Sequence, residues 1–268
     1  MGDERLTHGP GDHRKAVGPP AFWDVNAGLQ FSLLFALGLR EHHTLLDIGC
    51  GSLRGGRLFI PYLATGNYYG IEPDRSLVEA GLRDELGECV ADLKQPHFEY
   101  RDDFAFFVWE RRFDFMVAQS ILSHTHHDQA RRLLTNAHES LADDGVLAAT
   151  FFWRRPVAGL HVQRPRGTEG TGWTGEFGVA YEWSEMEHMA RDAGLALRRL
   201  HFPHPRQTWF IAVRQTHASR LRRLAQRADH WPATARDLHR ADGIRNRYPR
   251  LGRASALAAR ARRRRPRS

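Results

Sequence analysis

The sequence predicts an α/β protein built on a mostly parallel, doubly wound sheet. Three observations predict it. Short apolar runs alternate with amphipathic, helix-forming stretches from residue 44 to residue 152. The first apolar run ends in a glycine-rich turn that opens onto a helical stretch, the usual start of such a sheet. The last two apolar runs are joined by a connection too short for a crossover, which forces an antiparallel pair at the end of an otherwise parallel set.

Residues 1–20 are polar and rich in Gly and Pro, the composition of a loosely ordered start. Asp24 is placed to cap a helix whose apolar positions Leu29, Leu33, Leu34 and Leu37 recur at helical spacing, with Gly38 as its stop. Thr44–Ile48 reads as a short buried strand and Leu53–Ala64 as a helix. Asn67–Ile71 is a second strand and Ser76–Leu86 a helix. His97–Arg101 and Phe113–Ala118 are further strands, followed by a helix over Asp128–Leu141. Gly145 breaks the chain before the apolar strand Val146–Phe152. Residues 153–182 interrupt the alternation as a long loop, of the kind that forms lids or binding segments. Ser184-Glu185-Met186-Glu187 reads as a capping box, and Gly194 closes the helix that it opens. Leu195–Phe202 and Thr208–Arg214 are the final strands, joined through His204-Pro205-Arg206. Three segments follow: a covering arm and helix over 1–40, the α/β domain over 41–214, and a basic extension over 215–268, partly helical or disordered.

The charge distribution supports that division. The chain of 268 residues carries a formal +8, and its basic residues are almost all arginine, Lys15 and Lys94 being the only lysines. Residues 214–268 hold 17 arginines against Asp229, Asp237 and Asp242, a net +14, which leaves residues 1–213 at −6. The body is mildly acidic and the extension is the basic object. An extension of this kind is a solvated, partly helical segment, a dock for an acidic partner or anionic membrane surface, or a nucleic-acid contact. It shows no aromatic interleaving, since Trp231 and Tyr248 stand isolated.

No apolar run approaches the ~20 residues that a membrane-spanning helix needs. Met1-Gly2-Asp3-Glu4-Arg5 has no secretory character, and Leu6 stands where a myristoylation signal wants Ser or Thr, so a cytoplasmic location is expected. Cys50 and Cys89 are too few for a disulfide framework or a multi-cysteine metal site, and two free thiols are expected.

The chemistry starts at Leu45-Leu46-Asp47-Ile48-Gly49-Cys50-Gly51-Ser52. A buried strand runs into glycines that let a ligand approach the backbone at the mouth of the next helix. One strand later, Gly70-Ile71-Glu72-Pro73-Asp74 puts a carboxylate, Glu72, at the neighbouring strand tip, where it can accept both hydroxyls of a ribose. A dinucleotide fingerprint wants a third glycine where this chain has Arg54. Asp47, just before the first glycine, would repel a pyrophosphate yet suits a site that holds an ammonium and a sulfonium.

Asp47-Ile48-Gly49-Cys50-Gly51 resembles the cofactor-binding motif of class I S-adenosylmethionine-dependent methyltransferases, and the order of elements over residues 20–214 resembles theirs as well. The resemblance implies a Rossmann-like, seven-stranded sheet of order 3-2-1-4-5-7-6, its last strand antiparallel, with helices on both faces. It implies S-adenosyl-L-methionine as cofactor. Gly49, Cys50 and Gly51 would line its methionine part with Asp47 nearby, and Glu72 would hold the ribose hydroxyls with Pro73 against the adenine. Asp102 or Asp103 would meet the adenine amino group beside Phe104, and Gln119 and Ser120 would face the reacting end. Ser52-Leu53-Arg54-Gly55-Gly56 departs from members with a third glycine at position 52. It is similar to a bacterial subset that shares the Trp23 to Gln30 helix and a late His-Pro-Arg segment.

Transfer of a methyl group from a sulfonium needs alignment and sometimes removal of a proton, so no obligatory catalytic motif exists to search for. His124, in Ser123-His124-Thr125-His126-His127-Asp128, is the candidate base because imidazole titrates near neutrality. The same histidine can instead organise the start of the following helix. Adjacent residues rarely converge on one ion, so no metal is assigned to this cluster. Trp153, Arg154, Arg155, His161 and Trp173 in the 153–182 loop suit closure over an acidic or phosphorylated acceptor, or a plain surface loop. Trp23 and its helix either cover the cofactor or pack in the core. The reading is methyl transfer to oxygen or nitrogen of a small molecule, of sugar or natural-product type. Its alternatives are a nucleic-acid methyltransferase that uses the basic extension, and a cofactor-binding, non-catalytic partner protein.

Overall fold

The computed structural model describes residues 12–153 and 178–230. Arg154, Arg155, His161, Trp173 and most of the basic extension fall outside the described residues. Strands β1 (Leu45–Ile48), β2 (Tyr68–Ile71), β3 (His97–Glu99), β4 (Phe113–Ala118), β5 (Leu141–Trp153), β6 (Ala180–Tyr181), β7 (Leu195–Arg199) and β8 (Thr208–Arg214) form one sheet in the order β3-β2-β1-β4-β5-β8-β7. The two-residue β6 pairs off this path with β5. Pairs along β3-β2-β1-β4-β5 are parallel, while β8 runs antiparallel to both β5 and β7. With the short β6 set aside, this is the expected order 3-2-1-4-5-7-6.

Period-two alternation sends each strand's side chains to two separate cores. Leu46, Ile48, Met116, Ala118, Leu147, Ala149, Phe210 and Ala212 face a layer with helices α6 (His127–Ser140) and α7 (Trp183–Asp192). Leu45, Phe115, Val117, Val146, Ala148, Trp209 and Ile211 face the other, with helices α2 (Trp23–Leu37) and α3 (Gly56–Tyr62). Both faces are covered, which is why the central strands read as continuous apolar runs.

Several local expectations change for identifiable reasons. Asp24 does not cap α2: the turn Pro20–Phe22 feeds the helix from Trp23, and Asp24 in its first turn pairs with Arg57 at 2.5 Å. Gly38 ends α2 as expected, at φ 117°. The helix after β1 begins only at Gly56, because residues 51–55 form the turn around the candidate site. Helix α4 (Arg75–Gly81) widens into a π turn over Leu82–Leu86, and Gly87 restarts the chain as α5 (Glu88–Lys94), which the pattern did not separate. Gly145 does not break the chain. It lies inside β5 at a register shift opposite Phe113 and Phe115, where a Cβ would stand 2.8 Å from Phe113 O and from the Leu141 side chain. The capping box of α7 starts two residues earlier, with Glu182 and Glu185 as the reciprocal pair.

Both ends of the described chain are more tightly held than their composition indicates. Residues 12–16 form a short helix, α1, on which His13 is 1% exposed. Residues 221–230 are helical, and Leu221, Leu224, Ala225 and Ala228 complete the core under α2 and α3. The compact unit therefore runs to Asp229 rather than ending with β8. No helix among the described residues is long and apolar enough to cross a membrane. Leu224→Ala is expected to cost about 2–5 kcal/mol in urea-induced unfolding, while Arg222→Ala on the exposed face of the same helix stays within about 0.5 kcal/mol.

Candidate functional site

The carboxyl ends of β1, β2 and β4 open into a cleft of about 670 Å³, within the roughly 300–1,000 Å³ usual for small-molecule sites. Asp47, Gly49, Cys50, Gly51, Glu72, Gln119, Ser120 and His124 all line it, so one crevice collects most of the residues singled out in the sequence.

Asp47 is the third residue of β1 and is 3% exposed. Its Oδ2 accepts a 2.8 Å hydrogen bond from the Tyr68 hydroxyl on β2. Burial pushes its pKa up to about 6, against the opposing pull of that hydrogen bond and of the Arg54 charge. Glu72 follows β2, where Oε2 accepts from Gly51 N at 3.0 Å and Oε1 from Asp74 N at 3.1 Å. Burial raises its pKa too, while the two backbone N–H groups lower it. Each oxygen keeps a lone pair, so the carboxylate is fixed in place yet still able to accept a diol. Gly51 therefore ties the two strand tips together.

Gly49 and Gly51 adopt φ 68° and 53°, where a side chain would be strained. A Cβ on Gly49 would stand 2.0 Å from Ile121 Cδ1, and one on Gly51 2.6 Å from Val17 Cγ1. Apolar side chains of the cleft wall thus lie over both glycines, and the cleft runs past them. Cys50 is buried, and burial with its two acidic neighbours raises its pKa well above the usual thiol value, which makes it inert. Cys89 is free and exposed.

The roof is a strap that composition did not reveal. Ser52 Oγ donates to His13 O at 3.1 Å, and Arg54 Nη1 donates to Val17 O at 2.8 Å. His13 Nε2 lies 3.0 Å from Glu85 Oε1, and Arg14 Nε pairs with the same carboxylate at 2.5 Å. These contacts hold residues 15–19 along the cleft rim. Trp23 does not line the cleft. It is buried beside His13, with the Arg14 and Arg57 guanidinium groups near its ring.

The residues after β3 are not gathered into the cleft. Arg101 grips Asp103 through two 2.7 Å hydrogen bonds, which hold its carboxyl down to about 2. Phe104 turns into the α6-side core at φ 56°, its carbonyl taken by Asn136 Nδ2. Asp102 and Pro73 are exposed, and neither lines the cleft. The histidine cluster also separates. His124 lies on the rim, His126 is buried at the start of α6, and His127 packs on Tyr181. Among the described residues no group of three or more His, Cys, Asp or Glu is arranged to hold a metal ion.

The β7–β8 turn supplies residues that the sequence did not assign to the site. His204 Nδ1 accepts from the backbone N–H groups of Arg206 at 3.1 Å and Gln207 at 2.8 Å. The ring proton therefore sits on Nε2, which is 3.1 Å from the Gln119 side-chain amide. Gln207 Nε2 donates to the hydroxyls of Ser120 and Ser123 at 3.1 and 3.2 Å. Ser120, at φ 66°, is further held by its N–H to Thr150 Oγ1 at 2.7 Å. The late His-Pro-Arg segment was the available signal, but its reach across to β4 depends on the sheet order.

Residues 46–147 match a family model described as a methyltransferase domain. Among solved structures, the chain is similar to magnesium protoporphyrin IX methyltransferase from Synechocystis PCC 6803 with bound S-adenosylhomocysteine. Identity is 18%, coverage 71% of this chain and 85% of that one, and the TM-score 0.52. It is also similar to an S-adenosylmethionine-dependent methyltransferase from Clostridium acetobutylicum ATCC 824, with 11% identity, coverage of 74% and 93%, and a TM-score of 0.52. A methyltransferase of calicheamicin biosynthesis, in its S-adenosylhomocysteine-bound form, aligns at 16% identity over 71% of this chain and 54% of that one, with a TM-score of 0.50. At these identities the structures establish the fold. No curated protein matches the chain.

The buried Asp47 gives the site a pH signature. A carboxyl whose folded pKa lies above its unfolded value disfavours the fold once ionised. Stability is therefore fullest below the unfolded value of 3.8 and falls as pH rises through about 6. Asp47→Asn keeps an acceptor for Tyr68 and is expected to raise unfolding free energy by roughly 2 kcal/mol above pH 7, with the gain vanishing near pH 3. Denaturation at several pH values checks both sign and window.

Proposed function

We propose that this protein is a methyltransferase that transfers the methyl group of S-adenosylmethionine to oxygen or nitrogen of a small molecule, of sugar or natural-product type. The observation that carries the reading is the pair of strand tips. Glu72 is immobilised at the end of β2 by Gly51 N and Asp74 N, one strand away from Asp47 and two glycines in left-handed conformation. The donor set fits the cofactor. Glu72 would accept the ribose hydroxyls, Asp47 would lie toward the ammonium, and Gly49, Cys50 and Gly51 would border the amino-acid part. When bound, the cofactor supplies a methyl group already activated by a sulfonium leaving group.

The chain's own part is then to orient the acceptor and exclude water. Gln119 and Ser120 stand at the β4 tip, held by His204 and Gln207, and would present the acceptor atom to the reacting end. His124 on the rim is the candidate base for an acceptor that must lose a proton. A small acceptor suits a cleft bounded by the strap on one side and the β7–β8 turn on another. Two similar folds, the magnesium protoporphyrin IX and calicheamicin-biosynthesis methyltransferases, are named for small-molecule chemistry.

Calorimetry with S-adenosylhomocysteine tests the reading. Wild type is expected to bind in the micromolar range, and Glu72→Ala to weaken binding at least tenfold, about 1.4 kcal/mol, through loss of charged hydrogen bonds to the ribose. Folded wild-type protein that does not bind it would end the assignment.

A further inference from the structure

The lining of the cleft divides by charge. Its acidic part is Asp47 and Glu72 at the β1 and β2 tips. Elsewhere it carries Lys15, from the strap, Arg54, from the turn after β1, and Arg206, from the β7–β8 turn. Both guanidinium groups act on His204, whose pKa is held down to about 4 by burial first and then by the charges of Arg54 and Arg206. The three side chains line the same cleft.

Arg54 is largely buried, and burial lowers its pKa. Its Nη1 is spent on Val17 O, its Nε has no partner, and among the described residues it forms no ion pair. Asp47 acts on it only as a charge at a distance. Arg206 lies 5.8 Å over the Phe152 ring and likewise forms no ion pair among the described residues. The Arg54 guanidinium, largely withheld from water without a carboxylate partner, is costly to hold there, while Arg206 is exposed; the planar fork of each is shaped for an oxyanion. His204 adds no counter-charge, because its ring is fixed neutral with the proton on Nε2.

Building on the methyl-transfer reading above, we infer that Arg54 and Arg206, gathered around the fixed His204 ring, seat a carboxylate or phosphate of the acceptor, so that the substrate is an anionic small molecule. The cofactor's own amino-acid carboxylate has the same chemistry; Arg54, on the turn after β1, stands next to that end, whereas the strand order sets Arg206 apart from it. β4 and β5 separate β1 from β8, so the turn that holds His204 and Arg206 belongs to the acceptor end of the sheet rather than the ribose end. The contacts of that turn agree: Gln119, Ser120 and Ser123 after β4, and Phe152 on β5.

The test uses the full chain saturated with S-adenosylhomocysteine and two matched probes, benzoate and the isosteric neutral benzamide, followed by ligand-observed NMR. Wild type is expected to bind benzoate at least about fivefold tighter than benzamide, and Arg206→Gln and Arg54→Gln each to cut that preference below about twofold. Arg206 is on an exposed turn, so its variant carries the test if Arg54→Gln does not fold, with Arg54→Lys as the charge-preserving control. Equal binding of the two probes by the loaded wild type overturns the inference. So does benzoate binding to the free protein that S-adenosylhomocysteine abolishes, which assigns the cluster to the cofactor's carboxylate. Failure of wild type to bind S-adenosylhomocysteine at all is a separate result and removes the methyl-transfer reading itself.

Discussion

Two carboxylates are withheld from water at the tips of adjacent parallel strands, and the surrounding architecture answers for their desolvation. Burial raises both pKa values, and the Glu72 charge adds to the rise at Asp47, an arrangement that no folding requirement would select. What makes it tolerable is local and specific. Tyr68 Oη donates to Asp47, and two backbone N–H groups donate to Glu72. Those donors exist only because β1 and β2 pair in parallel, Asp47 opposite Gly70, so that the turn after β1 is pulled across the end of β2. Gly49 N and Cys50 N complete the tether on Ile71 O at 2.8 and 3.0 Å. Gly70 is needed in the same place, since a Cβ there would meet Phe98 at 2.8 Å and the Cys50 sulfur at 2.9 Å.

The strap and the sheet are held by different forces, with consequences for motion. The sheet rests on two apolar cores whose residues are almost wholly buried. Residues 12–19 rest on a few polar contacts, those of His13 and Arg14 with Glu85, Ser52 with His13 O, and Arg54 with Val17 O. Segments with few apolar contacts open at the lowest free energy, so the strap is the part of the cleft wall that yields first. Arg54 belongs to both systems: its Nη1 holds the roof, and the residue lines the cleft. An anion that engages this group therefore acts on the roof as well.

The strands were legible because alternation over a two-faced sheet leaves a periodic trace in the chain, and β4 is found at its expected bounds, Phe113–Ala118. The site residues at the ends of β1, β2 and β4 were legible because a glycine turn and a strand-tip acid are local features. The failures share one cause, competition from partners distant in sequence or from a stronger local pairing. The strap gave no pattern because its order comes from Glu85, Ser52 and Arg54. Asp24 and Ser184 have the chemistry of caps, but an upstream turn and Glu182 fix where those helices start. The ion pair of Asp103 with Arg101, two residues away, was likewise not read from the chain. His204 and Arg206 were visible as a motif, while their place at the β4 tip follows only from β8 inserting beside β5.

That insertion also bears on which group takes up a proton. Among the described residues, two histidines line the cleft, His124 and His204. His204 has both nitrogens committed: Nδ1 accepts two backbone N–H groups, and Nε2 carries the proton toward Gln119. With burial and two guanidinium groups opposing any added charge, it has neither a free lone pair nor a tolerable cationic form near neutrality. Its chemistry is that of a fixed donor. The Gln119 amide nitrogen lies 3.1 Å from Nε2, and a half-turn of the amide brings its oxygen to this donor and frees the NH₂ to donate elsewhere. Among the described cleft histidines that leaves His124, on the more exposed rim, as the candidate for a proton-accepting role in the proposed reaction.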